Sequence, residues 1–269
     1  MKRFYLSALY LLFSFAKPLY SQEINLGPRL TALGNIGVAI VDVWSLQSNQ
    51  AGITGLENPV ASASYRNTFL NKDLSTQSAV MAYPIGRSVV GLSFQNYGFQ
   101  AYNEQKVGFS YAKRFGKSVS ASLNFNVHQV KIAQYGSAGA FSVEAGLLYK
   151  LGEKLIIGTH VSNPGRNGFD ADVGAFIPVS LEFGASYKLS DKVLFNSGFV
   201  NTLDSDADFR CGLEYSVVSW LAFRGGVAAD PFRQFAGFGY TLQDIKIDAA
   251  AASHPNLGFS PQIALSYEF

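Results

Sequence analysis

From residue 58 to the C-terminus the chain alternates apolar and polar side chains with a period of two. Such a pattern makes strands with one apolar face, and it restricts the fold more than any motif does. It is clear in Val119, Ala121, Leu123, Phe125 and Val127, which interleave with Ser118, Ser120, Ser122, Asn124, Asn126 and His128. It recurs in Val179, Leu181, Phe183, Ala185, Tyr187 and Leu189, set against Glu182, Gly184, Ser186 and Lys188. Phe259, Pro261, Ile263, Leu265, Tyr267 and Phe269 repeat it at the end of the chain. A soluble sandwich and a membrane barrel would both satisfy this alternation.

A recurring tyrosine separates the two. GFSY, GLLY, GASY, GLEY and GFGY end at Tyr111, Tyr149, Tyr187, Tyr215 and Tyr240, and the related VMAY and ALSY end at Tyr83 and Tyr267. The intervals, 28, 38, 38, 28, 25 and 27 residues, are the length of a hairpin with its turns. Short turn-like segments such as KLGEK at 150–154 and KLSDK at 188–192 follow most of these tyrosines. An aromatic at one height in every hairpin suits a membrane interface, where the ring meets lipid and the hydroxyl meets water. The seven tyrosines are therefore read as an aromatic girdle, each closing an out-and-back pair. The expected fold is all-β: a 14-stranded antiparallel transmembrane barrel, with strands near 59–69, 75–84, 88–98, 104–115, 118–128, 140–150, 154–162, 179–189, 192–202, 207–217, 220–229, 235–242, 244–252 and 260–269. An even count puts both barrel ends on one side, expected to be periplasmic, and leaves 129–139 and 163–178 as long outward connections.

Composition agrees with this reading. Only 15% of residues are charged and 14% are aromatic, an unusual balance for a soluble globule. No internal apolar run is long enough for a membrane helix. No basic cluster supports nucleic-acid binding. The lone Cys211 cannot make an internal disulfide, and one Cys with three scattered His offers no zinc spacing. Residues 1–21 read as a signal peptide, with Lys2 and Arg3 before the apolar stretch Phe4–Ala16 and Ser21 at the cleavage point. The division expected is signal peptide 1–21, plug 22–57 and barrel 58–269.

The segment before the barrel, Gly27–Gly52, is rich in Gly and Ala and has no strand alternation. Gly34, Gly37, Ala39, Ala51 and Gly52 would let backbone approach backbone inside a narrow lumen. Arg29 and Asp42 would need charged partners there. Strand parity offers Lys106, Glu144, Glu182, Lys188, Asp208, Arg210, Glu214 and Arg224 on the polar face. These either pair across strands, Arg210 near Glu182 for example, or stand as separately hydrated charges.

Gly27-Pro28-Arg29, Ala32-Leu33-Gly34-Asn35, Asp42, Ser45 and Asn49-Gln50-Ala51-Gly52 resemble the N-terminal signature of FadL-like outer-membrane barrels, and more narrowly that of the PorV/PorQ branch linked to type IX secretion. IPVSLEFGASYKLSDK at 177–192 resembles a mid-barrel strand pair of the same branch. Gln50 stands where the signature has Pro. The resemblance implies a plug lodged in a 14-stranded barrel, with Gly27, Arg29, Gly34, Asn35, Asp42, Asn49, Ala51 and Gly52 as its motif. Phe269 resembles the terminal aromatic read by barrel-assembly machinery.

Enzyme chemistry finds no support. There is no HExxH, no GxSxG and no phosphate loop. Parity turns His128 and His160 away from lipid with no serine motif beside them, and His254 sits in a loop. Asp170 and Asp172 read as a solvated loop rather than a calcium site, and no cofactor or metal is expected. The leading expectation is a non-enzymatic outer-membrane barrel acting as an accessory subunit of a type IX secretion complex, with lipid and a protein of that complex as partners. The alternative is a FadL-like transporter of hydrophobic small molecules. A hydrophobic pocket under the outer loops, lined by Phe169 and Phe176, would favour the alternative.

Overall fold

The computed structural model describes residues 26–169, 177–203 and 205–269. The signal-peptide reading of 1–21, and Asp170, Asp172 and Phe176, lie outside them. Fourteen strands follow one another around a closed antiparallel barrel: β1 Val60–Asn67, β2 Ser75–Ile85, β3 Ser88–Gly98, β4 Tyr102–Phe115, β5 Val119–Ile132, β6 Gly136–Leu151, β7 Leu155–Ser162, β8 Ser180–Ser190, β9 Val193–Thr202, β10 Asp208–Val218, β11 Leu221–Ala228, β12 Arg233–Leu242, β13 Ile245–His254 and β14 Gly258–Glu268. β14 closes on β1 from Val60↔Glu268 to Arg66↔Gln262. Closure leaves no sheet edge within the paired wall, which a bilayer requires. No helix among the described residues is long and apolar enough to cross a membrane.

The sidedness inverts that of a soluble barrel. Leu92, Phe94, Phe109, Leu123, Phe125, Phe183, Phe223 and Leu265 point outward and are exposed. Their strand neighbours Ser93, Ser110, Asn124, Glu144, Arg224 and Gln262 point inward and are buried. All seven girdle tyrosines face outward, on β2, β4, β6, β8, β10, β12 and β14, near the end where the connections are short. One ladder row, Tyr83↔Val90↔Tyr111, joins two of them, and Tyr149, Tyr187 and Tyr215 each face an apolar residue of the next strand, Ile157, Phe195 and Phe223. Phe269 lies at the same end, its amide donating to the Pro59 carbonyl at 2.9 Å.

One expected loop is mostly strand. Where a long connection was expected at 129–139, β5 runs on to Ile132 and β6 begins at Gly136, paired Gln129↔Gly139 to Ile132↔Gly136. The polarity flips there, with Val130 buried inside and Gln129 and Lys131 exposed outside. Above the apolar band the outer face meets water, so the alternation reverses and no longer signals the same strand.

Segment 26–56 fills the inside of the barrel. It holds a short helix, α1 (Gly27–Ala32), and two 3-10 turns, Val43–Gln47 and Gln50–Gly55. Asp42 and Asn49 start those turns by accepting from the amides of Trp44 and Ala51. Leu30, Leu33, Ile40, Trp44, Leu46 and Ile53 cluster with Val60, Val80, Ala82, Val89, Ala112 and Ala264 of the inner wall. The hydrophobic core of this molecule therefore lies within the barrel, near its short-turn end.

Candidate functional site

The plug is seated against glycine. On seven successive strands, Gly146, Gly158, Gly184, Gly198, Gly212, Gly226 and Gly237 turn bare backbone inward, and a Cβ at any of them would overlap Asn49, Val38, Val38, Ile36, Leu33, Gly34 and Ala32 respectively. Polar side chains then fasten the irregular backbone. Ser186 donates to the Ala39 carbonyl at 2.8 Å, Asn196 to Ile36 at 3.0 Å and Arg210 to Asn35 at 2.7 Å. Asn49 Nδ2 donates to Val38 at 2.8 Å and to Leu147 at 3.0 Å, joining plug and wall through one amide. Buried carbonyls outside regular structure need such partners.

The motif residues fall into three roles. Gly27 (φ 78°) and Gly34 (φ 90°) take left-handed turns with no room for a side chain, the first under the Trp44 ring and the second against the Cys211 carbonyl. Asn35 is also left-handed, at φ 56°. Ala51 and Gly52 are buried where Gly52 packs on the Ile40 carbonyl and Ser45. Arg29 and Asp42 carry charge.

That charge is paired. Arg29 bonds Asp42 at 2.8 Å and Glu214 at 2.8 Å, Arg224 bonds Glu214 at 2.5 Å and Asp248 at 2.6 Å, and Lys246 reaches Asp248 at 3.1 Å. Burial opposes the charge on Arg29, but Glu214 and Asp42 outweigh it and hold its pKa well above the ordinary value. Burial likewise works against the Asp42 carboxylate, yet Lys246, Arg29 and the Trp44 amide bring its pKa below the ordinary value. A second cluster centres on Glu144, which meets Lys106 at 3.0 Å, Gln50 at 2.5 Å, Asn126 at 2.8 Å and His160 at 3.4 Å.

The expected pairing of Arg210 with Glu182 does not form. Arg210 bonds Asp208 two residues back on its own strand at 2.7 Å, while Glu182 lies 3.8 Å from His160. Lys188 is exposed beyond the network. Trp44, Gln50, Lys246 and Asp248 were not anticipated; parity alone would have turned Lys246 and Asp248 inward between Ile245, Ile247 and Ala249. No cluster of metal ligands exists among the described residues.

Two cavities bear on function. Under Ile177 and Pro178 a small space of about 30 Å³ is lined by Lys106, His128, Ser142, Glu144, Ser162 and Ser180. It is largely polar, unlike the hydrophobic pocket that would favour transport; Phe169 lies edge-on to His128 at 6.5 Å, and Phe176 is outside the described residues. The larger one, about 590 Å³, is a groove on the outer face of β14 and β1–β4. Ala61, Ala63 and Ala79 form its floor, flanked by Met81, Leu92, Phe94, Val107, Leu265 and Tyr267. Ser62, Val80, Ser93 and Ser266 line it from the wall itself. Behind that wall, the Trp44 indole donates to Ser62 at 3.1 Å, and Leu46 packs on Gly91.

No family model and no curated protein matches the chain by sequence. Solved structures match by fold. The toluene transporter TbuX of Ralstonia pickettii superposes with a TM-score of 0.69 at 14% identity, over 90% of this chain and 98% of its own. The Pseudomonas putida toluene transporter TodX gives 0.68 at 10%, over 90% and 98%. A FadL homologue of Pseudomonas aeruginosa gives 0.64 at 11%, over 93% and 99%. The fold is thus that of FadL-like barrels. These neighbours overturn the expectation of a type IX secretion subunit, because the structures that share the barrel are described as transporters. The narrower likeness to the PorV/PorQ branch has no support among them.

Proposed function

We propose that this chain is an outer-membrane barrel that passes hydrophobic small molecules, with no enzymatic step. The single observation that carries the reading is the outer groove at Ala61, Ala63 and Ala79. Its volume falls in the range of small-molecule sites, and its lining is apolar with few polar groups. It also lies over the one sector where the plug presents Trp44 and Leu46 to the wall. Only a wall of small residues, Ala61, Ala63 and Ala79 outside and Ser62, Ser93 and Ser266 inside, separates the groove from the plug there. Elsewhere the plug meets the wall through polar contacts, close backbone approach and a second apolar cluster of Ile36, Val38 and Ala39 with Ile156 and Val200. The shared fold with hydrocarbon and toluene transporters supports the same reading.

In this reading residues 1–21 are a signal peptide, 22–57 the plug and 58–269 the membrane barrel. The short turns and both barrel ends face the periplasm, the tyrosines sit at that interface, and Phe269 serves assembly by the barrel-insertion machinery.

Uptake of radiolabelled toluene by cells producing the protein tests the function. Wild type is expected to exceed cells without it, and Ala63→Trp and Ala79→Trp, which fill the groove from the lipid side, are expected to return uptake to the background. Equal uptake by wild type and both variants would reject the groove as the site.

A further inference from the structure

β6 stands taller than the strand beside it. It pairs with β5 from Gly136 to Tyr149, but β7 meets it only between Glu144 and Leu151. Past Ser162 the chain leaves that plane. The Asn163 amide donates to the Val143 carbonyl at 2.9 Å, and then Asn163, at φ 50°, turns the backbone. Its Nδ2 donates to the carbonyls of Asn167 and Ile177, and its Oδ1 accepts from the Asn167 amide. The segment so directed brings Phe169 against His128, on the inner side of the barrel. The β7-side edge of residues 136–142 consequently has no backbone partner among the described residues.

Which groups this edge offers follows from the ladder. Lys150 donates toward β5, to Ser118, whereas Val143 accepts from Asn163 on the other side. Even-numbered residues of β6 therefore bond β5, and Ser137, Gly139 and Phe141 direct both N–H and C=O to the open edge. Natural edges are guarded by Pro, Lys, bulges or brevity. Gly136–Val143, GSAGAFSV, has none of these, and its register with β5 is regular. The edge rises out of the apolar band at Phe141, with Gln129 and Lys131 exposed on the neighbouring strand and Tyr135 at the tip.

The geometry points to this edge as a docking site for an extended segment of a partner polypeptide, added as a strand beside residues 137–141 on the long-connection side of the barrel. The occupant has an apolar side chain next to Phe141 and small or polar ones beyond it, where the outer face meets water. The same edge of a second copy does not fit. Two copies inserted the same way into one membrane run β6 in the same direction, and a two-fold axis between them would set N–H against N–H and C=O against C=O. This inference is independent of the transport reading.

Residue-resolved amide exchange on the full chain tests it, comparing protein purified in detergent with protein in outer-membrane vesicles from the producing cells. In detergent, the amides of Ser137, Gly139 and Phe141 are expected to exchange freely while those of Ala138, Ala140 and Ser142 are protected. In vesicles, Ser137 and Phe141 are expected to slow by about tenfold or more, as strand pairing imposes. Gly139→Pro removes one open-edge donor and no bond to β5, so it should keep the heat-resistant barrel and abolish that slowing. Protection already present in detergent would mean that the chain covers its own edge. No slowing in vesicles, or slowing that survives Gly139→Pro, would also overturn the proposal, the latter by showing cover that does not use the backbone.

Discussion

The side-chain amide of Gln50 donates to the buried carboxylate of Glu144 at 2.5 Å, tying the plug to β6 across the lumen. Gln50 occupies the position at which the resembled signature has Pro, which could supply no such donor. Here the substitution creates a contact: Glu144 also meets Lys106, Asn124, Asn126 and His160, so Gln50 completes the cluster from the plug side. Replacing Gln50 with Leu keeps the bulk and removes the donor. The expected cost is about 1.5–3 kcal/mol, the range for a hydrogen bond to a charged group. Denaturant unfolding followed by intrinsic fluorescence would measure it, and Glu144→Gln in the same background should lose more, because it leaves the buried Lys106 ammonium without its carboxylate.

The glycine track makes a sharper demand. Gly158 and Gly212 face the backbone of Val38 and Leu33 with no space for a methyl group. Gly158→Val and Gly212→Val should push the plug from its seat, at a cost of at least ~1–3 kcal/mol for overpacking. The expected readout is new proteolytic cleavage within 26–56 while the barrel remains folded. Gly225, on the outer face of β11, is the control: a Cβ there meets only the Phe235 carbonyl at 3.9 Å. Gly225→Val should leave cleavage unchanged.

Acid should loosen the plug, and the sign follows from Asp42. Its pKa in the folded chain is lowered by Lys246, Arg29 and the Trp44 amide acting against burial. The unfolded chain therefore takes up the Asp42 proton first as pH falls. The stabilisation is complete above the unfolded carboxylate value of about 3.9 and is lost below it, toward the depressed folded value. Protease resistance of the plug should be flat from neutral pH down to about 5 and then decline. Asp42→Asn retains an acceptor for the Trp44 amide but not the charge, so it should be less resistant at neutral pH and show a shallower acid decline.

Much of this was legible because the bilayer writes its constraint into each strand. Leu123 and Phe125 must meet lipid and Asn124 must not, so alternation alone places the wall. Seven outward tyrosines, one on every second strand at the short-turn end, then count the hairpins. The same rule explains the failure at 129–139, since Gln129 and Lys131 lie above the lipid and invert the code. The lumen was harder to read. Parity turned Arg210 inward but could not say that Asp208, two residues back on the same strand, would take it in place of Glu182. Trp44 and Gln50 lie in irregular backbone with no period to read, and their partners Ser62 and Glu144 are fixed only by how the plug sits. The outer groove was invisible for a related reason: it arises where Ala61, Ala63 and Ala79 are brought side by side by the β14–β1–β2 pairing.

Leu123, near the middle of the outward face of β5, gives the most direct test of that face as a lipid surface. It is exposed at 50%, pairs with Tyr111 on β4 and Ala145 on β6, and has no polar group opposite it. In a soluble barrel such a position would tolerate a charge, and Leu123→Arg would change stability little. In a bilayer it should cost about 2–4 kcal/mol, falling toward zero for an arginine placed above the apolar band. Gln129→Arg, on the same strand and the same face but beyond the polarity flip, is that comparison. Reversible unfolding from phospholipid vesicles is expected to separate the two variants by most of this range. Equal stability would mean that the outward face does not contact lipid, and the membrane reading of the barrel would fall with it.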